Sequence, residues 1–173
     1  MRVTTMAAAL TIVAAAGCAT MGTAEYRATA KLEPTKDSQT AGTVTFTQRG
    51  GKVSVVADIS GLKPNAEHGF HVHEKGDCSS GDGMSAGGHF NPDGVPHGSA
   101  QPGAGHAGDM PNLKADANGN AKVSFEVSRM AVAEGKSSII GKGLIVHKDP
   151  DDYKTQPTGN AGARLACAVI RAA

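Results

Sequence analysis

The 173-residue chain has no tryptophan, and Phe and Tyr together make up only 3% of it. A core of large aromatic rings is therefore excluded. Val, Ile and Ala must fill the interior, and 23 glycines favour long ordered loops. No run of Lys and Arg occurs, which argues against a nucleic-acid partner, because phosphate binding needs concentrated positive charge. Long apolar runs are also missing: Met6 to Ala16 is the strongest and is too short to span a bilayer. With Arg2 ahead of it and Ala16-Gly17-Cys18 closing it, that run reads as an export signal over residues 1–17. The small-small-Cys ending resembles a bacterial lipobox, with Ala15 where Leu is usual. Cys18 would then become the lipidated first residue, residues 18–24 a tether, and 25–173 the folded domain. Ordinary cleavage nearby is the alternative. Loss of residues 1–17 removes one Arg, which leaves 16 Lys+Arg against 16 Asp+Glu.

Cysteine is scarce too, and three is an odd number for an exported protein. Assigning Cys18 to lipid leaves Cys78 and Cys167 as a pair in an oxidising compartment. A bridge between them would close a loop of about 90 residues, for which the chain-entropy model gives at most about 4 to 5 kcal/mol.

Helical periodicity is confined to a short stretch around Arg129 to Gly135. Alternation dominates instead. Val44 and Phe46 alternate with threonines, and after Gly50-Gly51 the run Val53, Val55, Ala57, Ile59 alternates again, which predicts a β-hairpin. Asn118-Gly119 predicts a second hairpin, joining Leu113–Ala115 to Val123, Phe125 and Val127. Further strands are expected at Glu25 to Leu32, Glu67 to His73, Gly143 to His147 and Arg164 to Arg171. About eight short strands with turn signals between them imply an all-β fold, an eight-stranded antiparallel Greek-key barrel or sandwich.

Two stretches, Glu74 to Met110 and Lys148 to Ala163, fit neither strand nor helix, and loops of that length in one domain are usually functional or disordered. The first holds three of the seven histidines and Cys78. His71 and His73, two apart in a predicted strand, leave the same face and can converge on one ion. His147, ending another strand, could add a third nitrogen from across the sheet. Three imidazoles with an open position suit a redox metal such as copper, whereas a set containing a carboxylate, such as His97, His106 and Asp109, suits zinc. His89 lies between the two groups. Any one of these histidines alone would more often be a hydrogen-bonded surface or core residue; His68 keeps that reading, as a residue that fixes backbone.

Several segments in one order resemble the signature of copper/zinc superoxide dismutases: Gly69-Phe70-His71-Val72-His73, Gly88-His89-Phe90-Asn91-Pro92, His97-Gly98, His106-Ala107-Gly108-Asp109, and Gly159-Asn160-Ala161-Gly162-Ala163-Arg164-Leu165-Ala166-Cys167. The resemblance covers roughly Glu25 to Ile170. It implies one copper held by His71, His73, His89 and His147, and one zinc held by His89, His97, His106 and Asp109. His89 then bridges the metals and delivers a proton. Arg164 would guide superoxide, and Asp151 would hydrogen-bond ligands of both metals and fix their tautomers. The implied activity is dismutation of superoxide to O2 and H2O2, in the periplasm, protecting the envelope, with membrane contact only through lipidated Cys18. The loop after His147 looks short, and Pro157-Thr158 stands where a lysine is common, so Lys154 and Lys75 become candidates for steering the anion. The alternatives are a copper/zinc-binding or delivery protein without turnover and an envelope domain using metals for stability. Monomer and homodimer both remain open.

Overall fold

Residues 24–99 and 104–173 are described by a computed structural model. The export signal and Cys18 lie outside the described residues. Alternation in β1 (Glu25–Pro34), β2 (Ala41–Arg49) and β3 (Lys52–Ser60) sends Ala28, Ala30, Leu32, Val44, Phe46, Val53, Val55, Ala57 and Ile59 inward and leaves their neighbours at the surface. These three strands form a meander. The chain then crosses to the far edge through β4 (Glu67–His68) and β5 (Phe70–His73). After β6 (Leu113–Lys114) it returns as β7 (Ala121–Val127), beside β3. It crosses again to β8 (Gly143–His147), beside β5, and β9 (Arg164–Val169) fills the place between β8 and β1. The short β10 (Arg171–Ala172) pairs with β1, giving an eight-stranded sheet. Two such crossings are the Greek-key connectivity. The sheet curls so that Phe46, Phe70, Leu144, Val146 and Ile170, from strands far apart in the order, share one apolar cluster.

Three expectations are corrected. The strand predicted from Glu67 to His73 breaks at Gly69, and its halves join different sheets: His68 pairs with Leu113, and Phe70 with Val146. The turn at Asn118-Gly119 forms, with Asp116 Oδ1 accepting from the Asn118 and Asn120 amides, but the strands it joins do not pair with each other. Seven register pairs between β3 and β7 outweigh what the two-residue β6 could offer, so the turn becomes a corner between sheets. Nor is Arg129 to Gly135 helical. Ile139 donates to the Ala131 carbonyl, and the amides of Val132 and Ala133 are taken by Gln48 Oε1, which ties this loop to β2 and buries Met130 and Val132 over the core.

Strands β5 and β8 are buried on both faces. Phe70, Val72, Leu144 and Val146 point into the core, so alternation sends His71, His73, Ile145 and His147 to the outer face, beneath the long loops. A second small apolar cluster, Ala86, Ile145 and Cys167 with Cys78 against it, packs the first loop onto that face. There Cys78 and Cys167 form a disulfide, as the cysteine count predicts.

Candidate metal centre

The free edge of β5 aligns the first loop by backbone pairing. Val72 N donates to Gly108 O at 2.9 Å, Phe90 N donates to Val72 O at 2.8 Å, and Glu74 N donates to Gly88 O at 2.9 Å. His89 is thereby set opposite His73, and Asp109 opposite His71. Gly108 is required here, because a side chain would collide with the Val72 carbonyl. A register irregularity between Val146 and His147 re-aims the last residue of β8. His68, fully buried, donates from Nδ1 to the His147 carbonyl at 2.8 Å and so fixes that backbone, the role expected of it.

Two donor sets result. His71, His73, His89 and His147 each offer one nitrogen, and His89, His97, His106 and Asp109 each offer one atom; within each set these atoms lie within 4.8 Å of one another. All the side chains are buried, and His89 belongs to both sets.

The hydrogen bonds around each ring assign its proton. Carbonyl oxygens only accept, so Nδ1 of His73 donates to Gly87 O (2.9 Å) and Nδ1 of His147 to Gly162 O (3.3 Å). Burial pushes both imidazoles well below their usual range, so both are neutral. Their Nε2 atoms therefore both carry lone pairs, yet they face each other at 3.3 Å. Two lone pairs are stable at that separation when a cation lies between them. His71 donates from Nε2 to Asp151 Oδ2 at 2.9 Å, which leaves its buried Nδ1 as a bare donor atom, and His89 Nε2 is likewise buried without a protein partner. A four-nitrogen set of this kind suits copper.

The second set is richer in negative charge. Asp109 Oδ1 lies 2.8 Å from His89 Nδ1 and 3.3 Å from His106 Nδ1, and Oδ2 lies 3.0 Å from His97 Nδ1. Tetrahedral zinc with bonds of about 2.0 to 2.1 Å has ligand atoms about 3.3 Å apart, so this packing fits zinc. Burial opposes ionisation of Asp109, but hydrogen bonds from His89 and His97 and the His106 amide outweigh it and hold the carboxyl well below its usual range. Burial also lowers His97, and here hydrogen bonds to Asp109 and Asp151 prevail, raising it to about 9. The half-site thus holds a proton tightly when no metal competes for it.

Asp151 links the halves. Its Oδ2 accepts from His71 and its Oδ1 from His97 Nε2, both at 2.9 Å, and Oδ1 also takes the Tyr153 amide at 2.7 Å. Arg164, half-buried, donates to Gly83 O and Gly87 O at 2.6 Å each. Because Gly87 O also accepts from His73, the guanidinium is tied to an imidazole of the first set. Lys154 lines a cavity of about 780 Å³ with His97 and Arg129, over the second set, whereas Lys75 lies exposed on the loop after β5. Lys36, Lys63 and Lys148 surround a different cavity of about 740 Å³ that Arg164 also lines.

Three positioning residues escape sequence reasoning. Asn112 exchanges two hydrogen bonds with the Asp151 backbone, Gln156 does the same with that of His97, and Arg129 binds the carbonyls of Ser99 and Gly105. None sits in a motif, and each acts on backbone 24 to 59 residues away.

Fold and donor sets together define a two-metal β-barrel protein. The family model described as copper/zinc superoxide dismutase (SODC) matches residues 40–170, and the chain belongs to that family. A superoxide dismutase [Cu-Zn] of Paramecium bursaria Chlorella virus 1 is 50% identical over 135 residues, 75% of this chain and 71% of the viral one. Superoxide dismutase [Cu-Zn] 2 of Aquifex aeolicus is 40% identical over 139 residues, 78% of this chain and 81% of its own. A crystal structure of the clock protein EA4 superposes with a TM-score of 0.76 at 41% identity, covering 84% of this chain and 93% of the other.

Proposed function

We propose that the chain dismutates superoxide to O2 and H2O2, with copper at His71, His73, His89 and His147 and zinc at His89, His97, His106 and Asp109. The observation that carries this reading is His89, whose single imidazole contributes to both donor sets. Copper supplies the alternating one-electron exchange, and zinc supplies a fixed positive charge beside it. His89 Nδ1 is held against Asp109, so a proton carried at Nε2 stands where departing peroxide needs one. Arg164 spends two of its five N–H donors on Gly83 and Gly87 and keeps the rest for an anion. The test is superoxide consumption by the purified, metallated protein beside His147→Ala and Arg164→Ala. His147→Ala should be inactive, and Arg164→Ala should lose kcat/KM by about 10- to 100-fold, the weight of a lost charge-assisted hydrogen bond. An inactive wild type carrying both metals would refute the reading.

We infer a periplasmic enzyme, tethered through lipidated Cys18, that protects the envelope from superoxide arising outside the cell. A disulfide between Cys78 and Cys167 accords with an oxidising compartment. β1 begins at Glu25, and its other end abuts Arg164, whose carbonyl accepts from Thr35 Oγ1. Ten strand residues span about 30 Å. The proposed anchor would therefore precede the end of β1 opposite Arg164. Fractionation of Cys18→Ser should move the protein from the membrane to the soluble fraction; unchanged partition would exclude the anchor.

A further inference from the structure

Arg129 lies two residues beyond β7, on the connection that leads to β8. Its half-buried guanidinium donates from Nη1 to Gly105 O at 2.5 Å and from Nη2 to Ser99 O at 2.8 Å. These carbonyls belong to the two arms of one loop. Ser99 follows His97 by two residues, and Gly105 immediately precedes His106. The arms are pinched together at the same point: the amides of Gly98 and His106 both donate to Asp109 Oδ2, and a Cβ on Gly98 would sit 3.0 Å from the Gly105 nitrogen. Neither histidine gains a ligand from Arg129. What it supplies is a planar fork that holds two acceptors at one fixed separation, which an ammonium on a flexible stem cannot do.

We propose that Arg129 is the positioning residue that closes the zinc half-site, keeping His97 and His106 convergent and so setting how fast zinc leaves. The inference rests on the assignment of His97 and His106 to zinc. It distinguishes the halves, because the copper set is carried by β5 and β8 together with His89, none of which Arg129 touches. Release of zinc should therefore respond to Arg129 much more than release of copper, which is coupled to the loop only through His89.

The experiment follows both metals leaving the copper- and zinc-loaded protein into excess chelator, for the wild type, Arg129→Lys, Arg129→Ala and His106→Ala. Arg129→Ala should release zinc on the order of tenfold faster, the effect of losing one or two such hydrogen bonds, with copper release much less affected. Arg129→Lys, which keeps the charge and folds most conservatively, should remain fast. Millimolar methylguanidinium should slow zinc release from Arg129→Ala, and methylammonium at equal ionic strength should not. Unchanged zinc release in both Arg129 variants would overturn the proposal, as would equal acceleration of copper or equal rescue by methylammonium. If His106→Ala held zinc as tightly as the wild type, the assignment of the zinc site would itself fall, and the proposal with it.

Discussion

Replacing Asp151 with Ala should release zinc more readily than copper. The substitution removes the acceptor for two ring N–H groups at once, His71 Nε2 and His97 Nε2, and also the acceptor for the Tyr153 amide. Hydrogen bonds to a charged partner contribute about 1.5 to 3 kcal/mol each, and water entering the vacated space recovers part of that. The remainder corresponds to a 10- to 100-fold loss of metal affinity, the range usual for residues that orient ligands. How the loss divides depends on what still holds each ring. His71 sits in β5, paired to Ile145 on one side and bridged to Asp109 on the other, so its ring stays aimed. His97 lies outside any strand and keeps its backbone bonds to Gln156, while its ring loses the carboxylate that selects the metal-binding tautomer. Zinc affinity should therefore fall about 100-fold and copper affinity by tenfold or less. Dialysis against a graded series of chelator strengths, with each metal measured separately, reads both numbers. Equal loosening of the two metals, or loosening of copper first, would refute the argument that strand and loop hold their ligands unequally.

Gly159→Ala should mimic that defect, because the residue has φ +66° and an added Cβ would run into Asp151 Oδ1 and come within 2.7 Å of His97 Nε2; metal analysis should find zinc depleted in a folded protein. Lys148→Glu, beside the cavity that Arg164 lines, should lower kcat/KM several-fold at low ionic strength and converge on wild type in high salt; parallel salt profiles would remove Lys148 from the steering charge. Cys78→Ala should lower thermal stability by about 2 to 5 kcal/mol, seen by calorimetry, and should weaken zinc retention as well. The metal-free protein should be most stable near pH 6.5. Burial lowers His71 from 6.5 to about 4 against the opposing Asp151 contact, so its contribution is present above pH 6.5 and is lost as pH falls toward 4, by roughly 3 kcal/mol at most. His97, raised to about 9, contributes below pH 6.5 and loses that contribution as pH rises through 9. Denaturant midpoints across pH 4 to 9 would show the maximum, and a flat profile would contradict both shifts.

Much of the fold was legible because alternation is a local signal. Val44, Phe46, Val53 and Val55 reveal their buried face within a few residues, and Gly50-Gly51 marks the turn between them. Pairing across the sheet is not local, and there the reading failed: Asn118-Gly119 reports a turn, but nothing near it reports that β3 is the better partner for Val123 and Phe125. The donor residues were legible for a chemical reason, since clustered histidines with one aspartate are rare outside metal sites and their spacing falls in recognisable segments. Asn112, Gln156 and Arg129 were not legible, because an amide or guanidinium gripping a distant carbonyl carries no spacing pattern. Nor does the sequence mark Lys148 as a neighbour of Arg164, because that proximity is set by where β8 and β9 pair and not by position along the loop.

The unequal construction of the two halves has a direct physical consequence. His71, His73 and His147 stand on strands whose opposite faces are core, so displacing them means breaking the contacts of Phe70, Val72, Leu144 and Val146 as well. His97 and His106 lie outside any strand, and Asp109 sits only in an isolated bridge to His71. They are held by hydrogen bonds of His97 with Gln156 and Asp151, by those of Arg129 to the neighbouring Ser99 and Gly105 carbonyls, by pairing on the β5 edge, and by the Cys78–Cys167 bond that fastens the loop to β9. The bonds to Gln156, Arg129 and Asp151 can open without exposing the apolar core, whereas the β5-edge pairing carries Phe90, Ala107 and Met110 of that core. His89 belongs to both sets, so opening the loop also withdraws a ligand from the strand-borne half. Loss of zinc therefore disturbs the redox site first and the barrel last, and inactivation should precede unfolding by a margin set by the loop's fastenings and not by the core.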